Sequence, residues 1–206
     1  RMLGSVTDYL ELLEFWFGEL TDGIASESRR KNWFAASAEF DQQCTVKFGH
    51  LLTDIDALSG GQDWGETPRA QIAYVILYDQ MPRNIFRGHR EAFAYDHLAL
   101  EVAKRGIEQG VDQHLKLDER AFFYRPFEHS ESLLDQHIAV GLFTALRDSS
   151  PKHLRSRTGN SLRSAQQHRD IIVRFGRFPH RNHLLGRKSS DAEAIFIEDG
   201  NGFGQS

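Results

Sequence analysis

The sequence predicts an all-α fold built as a stack of antiparallel helical hairpins. Three observations carry this expectation. Apolar residues recur at intervals of three and four along most of the chain, the period of one helix face. No segment alternates apolar and polar side chains convincingly, as a half-buried strand would. Connections between the periodic segments are mostly short, which makes neighbouring helices pack antiparallel. A length of 206 residues fits one domain, taken as residues 1–206 with an ordered core over about 5–200.

The elements follow in order. Ser5 and Asp8 have capping-box-like spacing, with Asp8 where Glu is usual, and Leu10, Leu13, Trp16, Phe17 and Leu20 follow at helical intervals. This helix stops near Gly18 to Asp22. Phe40, Cys44, Phe48, Leu51, Leu52, Ile55 and Leu58 form one stripe of a second helix that ends at Gly60-Gly61. Cys44 lies on that stripe and reads as a small buried hydrophobe. Thr67-Pro68 supplies an N-cap and an N1 proline for an apolar run through Tyr78, which places Asp79 and Gln80 close to the core. Further helices are expected at about 91–109, 118–125, 130–147 and 161–178, with a short one after Ser189 or Ser190. Pro126 ends or kinks the segment begun at Asp118, and Ser130 is a candidate N-cap for the next.

Composition narrows the class. Hydrophobic residues make up 40% and charged residues 26%, as in a globular protein. A lone cysteine excludes an intramolecular disulfide framework or a multi-Cys metal site and fits a reducing compartment, so a cytoplasmic location is expected. The longest apolar run, Ile72 to Tyr78, is far shorter than the ~20 residues of a membrane span, and no membrane partner is expected. Phe supplies 15 of the aromatic residues, which suits a helix-packing core. Charge is uneven: residues 147–190 hold 11 Lys/Arg against 2 Asp/Glu, while the whole chain is net -4.

Three stretches could carry chemistry. On a helical wheel, Arg163, Gln166, Gln167, Asp170, Arg174 and Arg177 share a polar arc, and Leu162, Ala165, Ile171, Ile172, Val173, Phe175 and Phe178 fill the rest. His168 falls in the apolar arc, where a satisfied core histidine is the ordinary case. The second is an echo. Pro82-Arg83-Asn84 with Arg87-Gly88 recurs as Pro179-His180-Arg181-Asn182 with Gly186-Arg187, Gly standing four residues after Asn in both. Pro, Asn and Gly read as a helix stop, Asn and Gly accepting left-handed conformations. A helix stop alone does not need the arginines and histidines of these turns, and guanidinium groups suit bidentate binding of carboxylate or phosphate. The third is Arg125 to Glu131, where Glu128 and His129 form a minimal acid/base pair at a helix junction. No metal-ligand motif is complete there, and GxSxG, GxxxxGK[ST] and GxGxxG are absent, so neither a metal nor another cofactor is expected.

At these motifs the chain resembles a mainly bacterial family known as domain of unknown function 924. The matching residues are Phe15-Trp16-Phe17-Gly18, Asp79 to Gly88, Pro126 to Glu131, Arg174 to Asn182, and Leu185-Gly186-Arg187. The likeness runs from about Leu10 to Phe203, with Met81 where the family more often has Phe. It implies a tetratricopeptide-like helical fold and brings no activity.

The residues then support alternatives from different classes. One is a polar pocket in which Arg83, Asn84, Arg87, Arg177, His180, Arg181, Asn182 and Arg187 bind a small anionic molecule or peptide carboxylate, with Glu128 and His129 as acid/base groups. Another is a tetratricopeptide-like module that binds a peptide segment without catalysis. Nucleic-acid binding through the basic 147–190 block is disfavoured by the acidic remainder.

Overall fold

The computed structural model describes residues 6–52 and 64–200. Ser5, Ile55, Leu58, Gly60, Gly61 and Phe203, which enter the expected caps, stripes and motifs, lie outside the described residues. Among the described residues the fold is all-α, the one extended feature being an isolated Thr21–Ile24 bridge. Asp22 (φ 52°) and Gly23 (φ 79°) form its two-residue turn. No described helix is long and apolar enough to cross a membrane.

The chain divides into two compact units, Arg1–Arg87 with Glu91–Phe123, and Gly88–Arg90 with Tyr124–Ser206. The first holds α1 (Val6–Phe17), α2 (Glu27–Phe34), α3 (Ala38–Phe48), α4 (Pro68–Val75), α5 (Met81–Ile85) and α6 (Asp96–Glu108). Helix α7 (Leu117–His129) begins in the first unit and ends in the second, which continues with α8 (Leu133–Ser149), α9 (Arg155–Phe175) and α10 (Asp191–Glu198).

In the first unit α4 packs on α1 and α6, and α3 on α5, around Leu12, Trp16, Phe40, Cys44, Ile72 and Phe123. The α3 stripe is seen at Phe40, Cys44 and Phe48, but the α-helix stops at Phe48 and a short 3-10 turn, Gly49–Leu51, follows. Burial, helped by the Asp41 carboxylate, pushes the Cys44 thiol up to about 12, so it packs as a hydrophobe. Helix α2 has no apolar stripe and none of its residues is buried. It is placed by the Trp33 ring, which packs on Trp16, Phe17 and Phe122, and by two donors to the last turn of α1: Arg29 to the Phe15 carbonyl (2.5 Å) and the Trp33 indole to the Trp16 carbonyl (3.1 Å).

Thr67 and Pro68 start α4 as expected, the Thr67 hydroxyl accepting from Ala70 N–H. Pro82 does not stop the helix. A π-helical turn, Ile76–Gln80, joins α4 to α5, and Met81 N–H bonds to the Ile76 carbonyl five residues back, so the missing proline donor falls at the first turn of α5. Pro126 is likewise inside α7, which runs on to His129. An internal proline costs ~3 kcal/mol, and the burial of Phe127 and Tyr124 around it offsets that cost.

In the second unit α8 and α9 pack along one another. The N-cap of α8 is Ser132; the Ser130 hydroxyl instead donates to Asp135. Helix α9 begins earlier than expected and ends at Phe175, where Gly176 (φ 71°) closes it. Arg177 and Phe178 therefore leave the helical wheel, and Val173 is exposed instead of joining the apolar arc. Ser190 and Glu193 make a reciprocal capping box at α10.

Candidate functional site

The polar centre of the second unit is Glu128, which has no exposed surface. A bare buried carboxylate would take up a proton. Here Arg125 Nη1 donates to Oε2 at 2.8 Å, while Oε1 accepts from the Ser164 hydroxyl at 2.5 Å and lies 3.1 Å from His168 Nδ1. Burial pushes this carboxyl up, but Arg125, His168 and His129 together outweigh it and hold it below the usual carboxylate range. Both neighbours of His168 Nδ1, Glu128 Oε1 and the Ser164 carbonyl at 2.8 Å, are acceptors. Nδ1 therefore carries a proton.

Beside the expected Glu128 and His129, the structure sets His168 against the Glu128 carboxylate, and His129 acts on the same carboxylate. Neither Ser164 nor His168 was singled out as functional by sequence reasoning. The available signal was their spacing: residues four apart on α9 share a face, so a hydroxyl and an imidazole reach one partner.

The turn after α9 closes over this centre. Phe178 is fully buried, with the His168 and His180 rings each 5.5 Å from its own and the Arg181 guanidinium 4.7 Å away over its face. Arg181 Nη2 donates to the His129 carbonyl at 2.9 Å, placing a cation at the C-terminus of α7, and the buried Gln136 amide donates to the Glu128 carbonyl at 2.7 Å. His129 and His168 rings stand 6.1 Å apart. Glu131 is clamped from two sides, by Arg187 Nη1 and Nη2 at 2.8 and 2.9 Å and by Phe178 N–H at 2.8 Å. Burial raises the Glu131 carboxyl, but these donors and Arg181 bring it below its ordinary value. Asn182 accepts from Arg187 Nε and donates to Ser189. Arg177 pairs bidentately with Glu193, at 2.7 and 2.8 Å, drawing that carboxyl down to about 2.

The echoing turn of the first unit is built on the same plan. Arg83 pairs bidentately with Asp96 (2.7 and 3.0 Å) and donates to the Asp79 carbonyl. Arg87 pairs bidentately with Asp41 (2.6 and 3.0 Å), which also accepts from Asn84 Nδ2. In both copies glycine alone takes the left-handed conformation, Gly88 at φ 78° and Gly186 at φ 66°. Asn84 lies in α5 and Asn182 has φ -56°; their amides hold hydrogen bonds instead of turning the chain. Arg83, Arg87, Arg177 and Arg187 each engage a carboxylate of their own unit. Among the described residues no group of three or more His, Cys, Asp or Glu is arranged to hold a metal ion.

A family model described as bacterial protein of unknown function (DUF924) matches residues 12–201. The solved structure of a protein of unknown function from Agrobacterium tumefaciens, ATU0120, is similar at 34% identity with a TM-score of 0.75, covering 93% of this chain and 97% of that one. No match is found among curated proteins.

Proposed function

The chain belongs to this bacterial family, DUF924, and from its own residues we propose that it binds a small anionic ligand, a carboxylate or phosphate, at the His129, His168, His180 and Arg181 corner of the second unit. The observation that carries the proposal is the gathering of three imidazoles and a guanidinium around Phe178 and the end of α7. In this reading Arg187 and Arg177 are clamps that fix the turn, and Arg181 and the histidines meet the ligand. Glu128 is a positioning residue: through Nδ1 it fixes the orientation of the His168 ring that faces the ligand. Arg83, Asn84 and Arg87 serve as the equivalent clamp of the first unit.

Thermal shift against inorganic phosphate and a series of mono- and dicarboxylates tests the proposal. Wild-type protein is expected to be stabilised by at least one of these anions, and His180→Ala and His129→Ala to lose that shift while still unfolding in one cooperative transition. Stabilisation that survives both substitutions, or no shift with any anion, overturns it. A tetratricopeptide-like interaction module without catalysis is the second reading, and the exposed leucines and isoleucine of α8 favour it.

A further inference from the structure

We infer that α8 is the contact surface of a two-fold dimer, with the α8 of a second copy lying antiparallel across it. One face of α8 packs on α9, and the opposite face carries Leu134, Ile138, Gly141 and Ala145, all exposed. Leu134 is 70% and Ile138 36% exposed. Their spacing of four, three and four is the d-a-d-a seam of a coiled coil. Large residues occupy its first half and small ones its second.

That order is self-complementary. Antiparallel pairing sets a against d, so Leu134 meets Ala145 of the second copy and Ile138 meets Gly141, both layers sharing a single register. Each layer then joins a large side chain to a small one, letting the backbones approach closely. Gly141 supplies a separate argument. It sits mid-helix, where glycine is unfavourable, yet among the described residues nothing lies within 4 Å of a Cβ built there. The space it leaves is open and is filled by Ile138 of the second copy. At the C-terminal end of the seam Asp148, exposed and paired with Arg147, falls beside the first turn of the opposing α8, whose N-cap Ser132 makes no side-chain cap hydrogen bond. A seam about 17 Å long covers less than the ~800 Å² per partner of a standard interface, so the dimer is weak and concentration-dependent, with a dissociation constant in the micromolar range.

Sedimentation velocity on the full chain, from low micromolar to near-millimolar concentration, should show reversible monomer–dimer exchange. Ile138→Glu and Gly141→Leu should each abolish it at every concentration while leaving the far-ultraviolet circular dichroism unchanged. Register is read by mild oxidation. The double variant Leu134→Cys/Ala145→Cys should link into covalent dimers at least tenfold faster than either single variant, whose own thiols stand about 17 Å apart across the two-fold axis. A monomer throughout, a dimer indifferent to both seam substitutions, or single variants that link as fast as the double variant overturns the inference.

Discussion

A carboxylate with no exposed surface stays ionised only if its surroundings replace the water it has lost, and Glu128 does so with Arg125, Ser164 and His168. Removing that charge leaves the buried Arg125 and His168 facing a neutral amide. Glu128→Gln is therefore expected to cost about 3 kcal/mol at neutral pH, read from urea unfolding. The sign with pH follows from the lowered carboxyl: stability from Glu128 is present above the unfolded value of ~4.3 and is lost as pH falls through the lower folded one. The gap between wild type and Glu128→Gln should thus narrow at pH 3. A gap below 1 kcal/mol at pH 7, or one that widens in acid, would show that the charge is not what Glu128 contributes.

Among the helices, Gly106 of α6 leaves no room for a side chain. A Cβ there would stand 2.5 Å from Phe123 Cζ and 2.7 Å from Gln71 Oε1, two side chains that are themselves fully buried. Alanine raises helix propensity by ~1 kcal/mol, but overpacking a filled core costs ~1–3 kcal/mol. Gly106→Ala is expected to lower the urea midpoint without changing the slope; a raised midpoint would mean the α6–α7 contact relaxes freely. This contact also marks how far sequence reasoning reaches at this scale. The α3 stripe, the Thr67-Pro68 start and the Ser190–Glu193 box are local signals of period and cap, and they are legible. Helix α2 was not, because it is held by one aromatic ring, Trp33, and by side-chain donors to the end of α1 instead of a periodic apolar stripe. Pro82 misled because proline's local rule was overridden by a π turn, and of the two outcomes expected at Pro126 the helix end is not the one found. In the site, the echoing turns and their left-handed glycines were legible. Their carboxylate partners were not, since Arg87 finds Asp41 46 residues away and Arg187 finds Glu131 56 away.

Over the whole chain, part of the uneven charge is met by pairing across sequence. The basic block at 147–190 contributes Arg177 and Arg187, and both are met by acidic residues outside it, Glu193 and Glu131. A basic tail displayed to nucleic acid would leave those guanidiniums to phosphate; here bidentate pairs hold them. Three carboxyls of the second unit, Glu128, Glu131 and Glu193, are drawn below their ordinary range, the last to about 2. Each contributes stability above ~4.3 that disappears as pH falls toward its folded value. The second unit should therefore lose protection in a narrow acid window. Hydrogen exchange followed by mass spectrometry from pH 6 down to about pH 2.5, corrected for the intrinsic pH dependence of exchange, should show amides of α8, α9 and α10 opening progressively below pH 4. The variant Glu131→Gln/Glu193→Gln should begin with lower protection at neutral pH and change less over the same range, because the charges that acid would remove are already gone. Equal acid sensitivity in the two proteins would place the source of that instability outside these ion pairs.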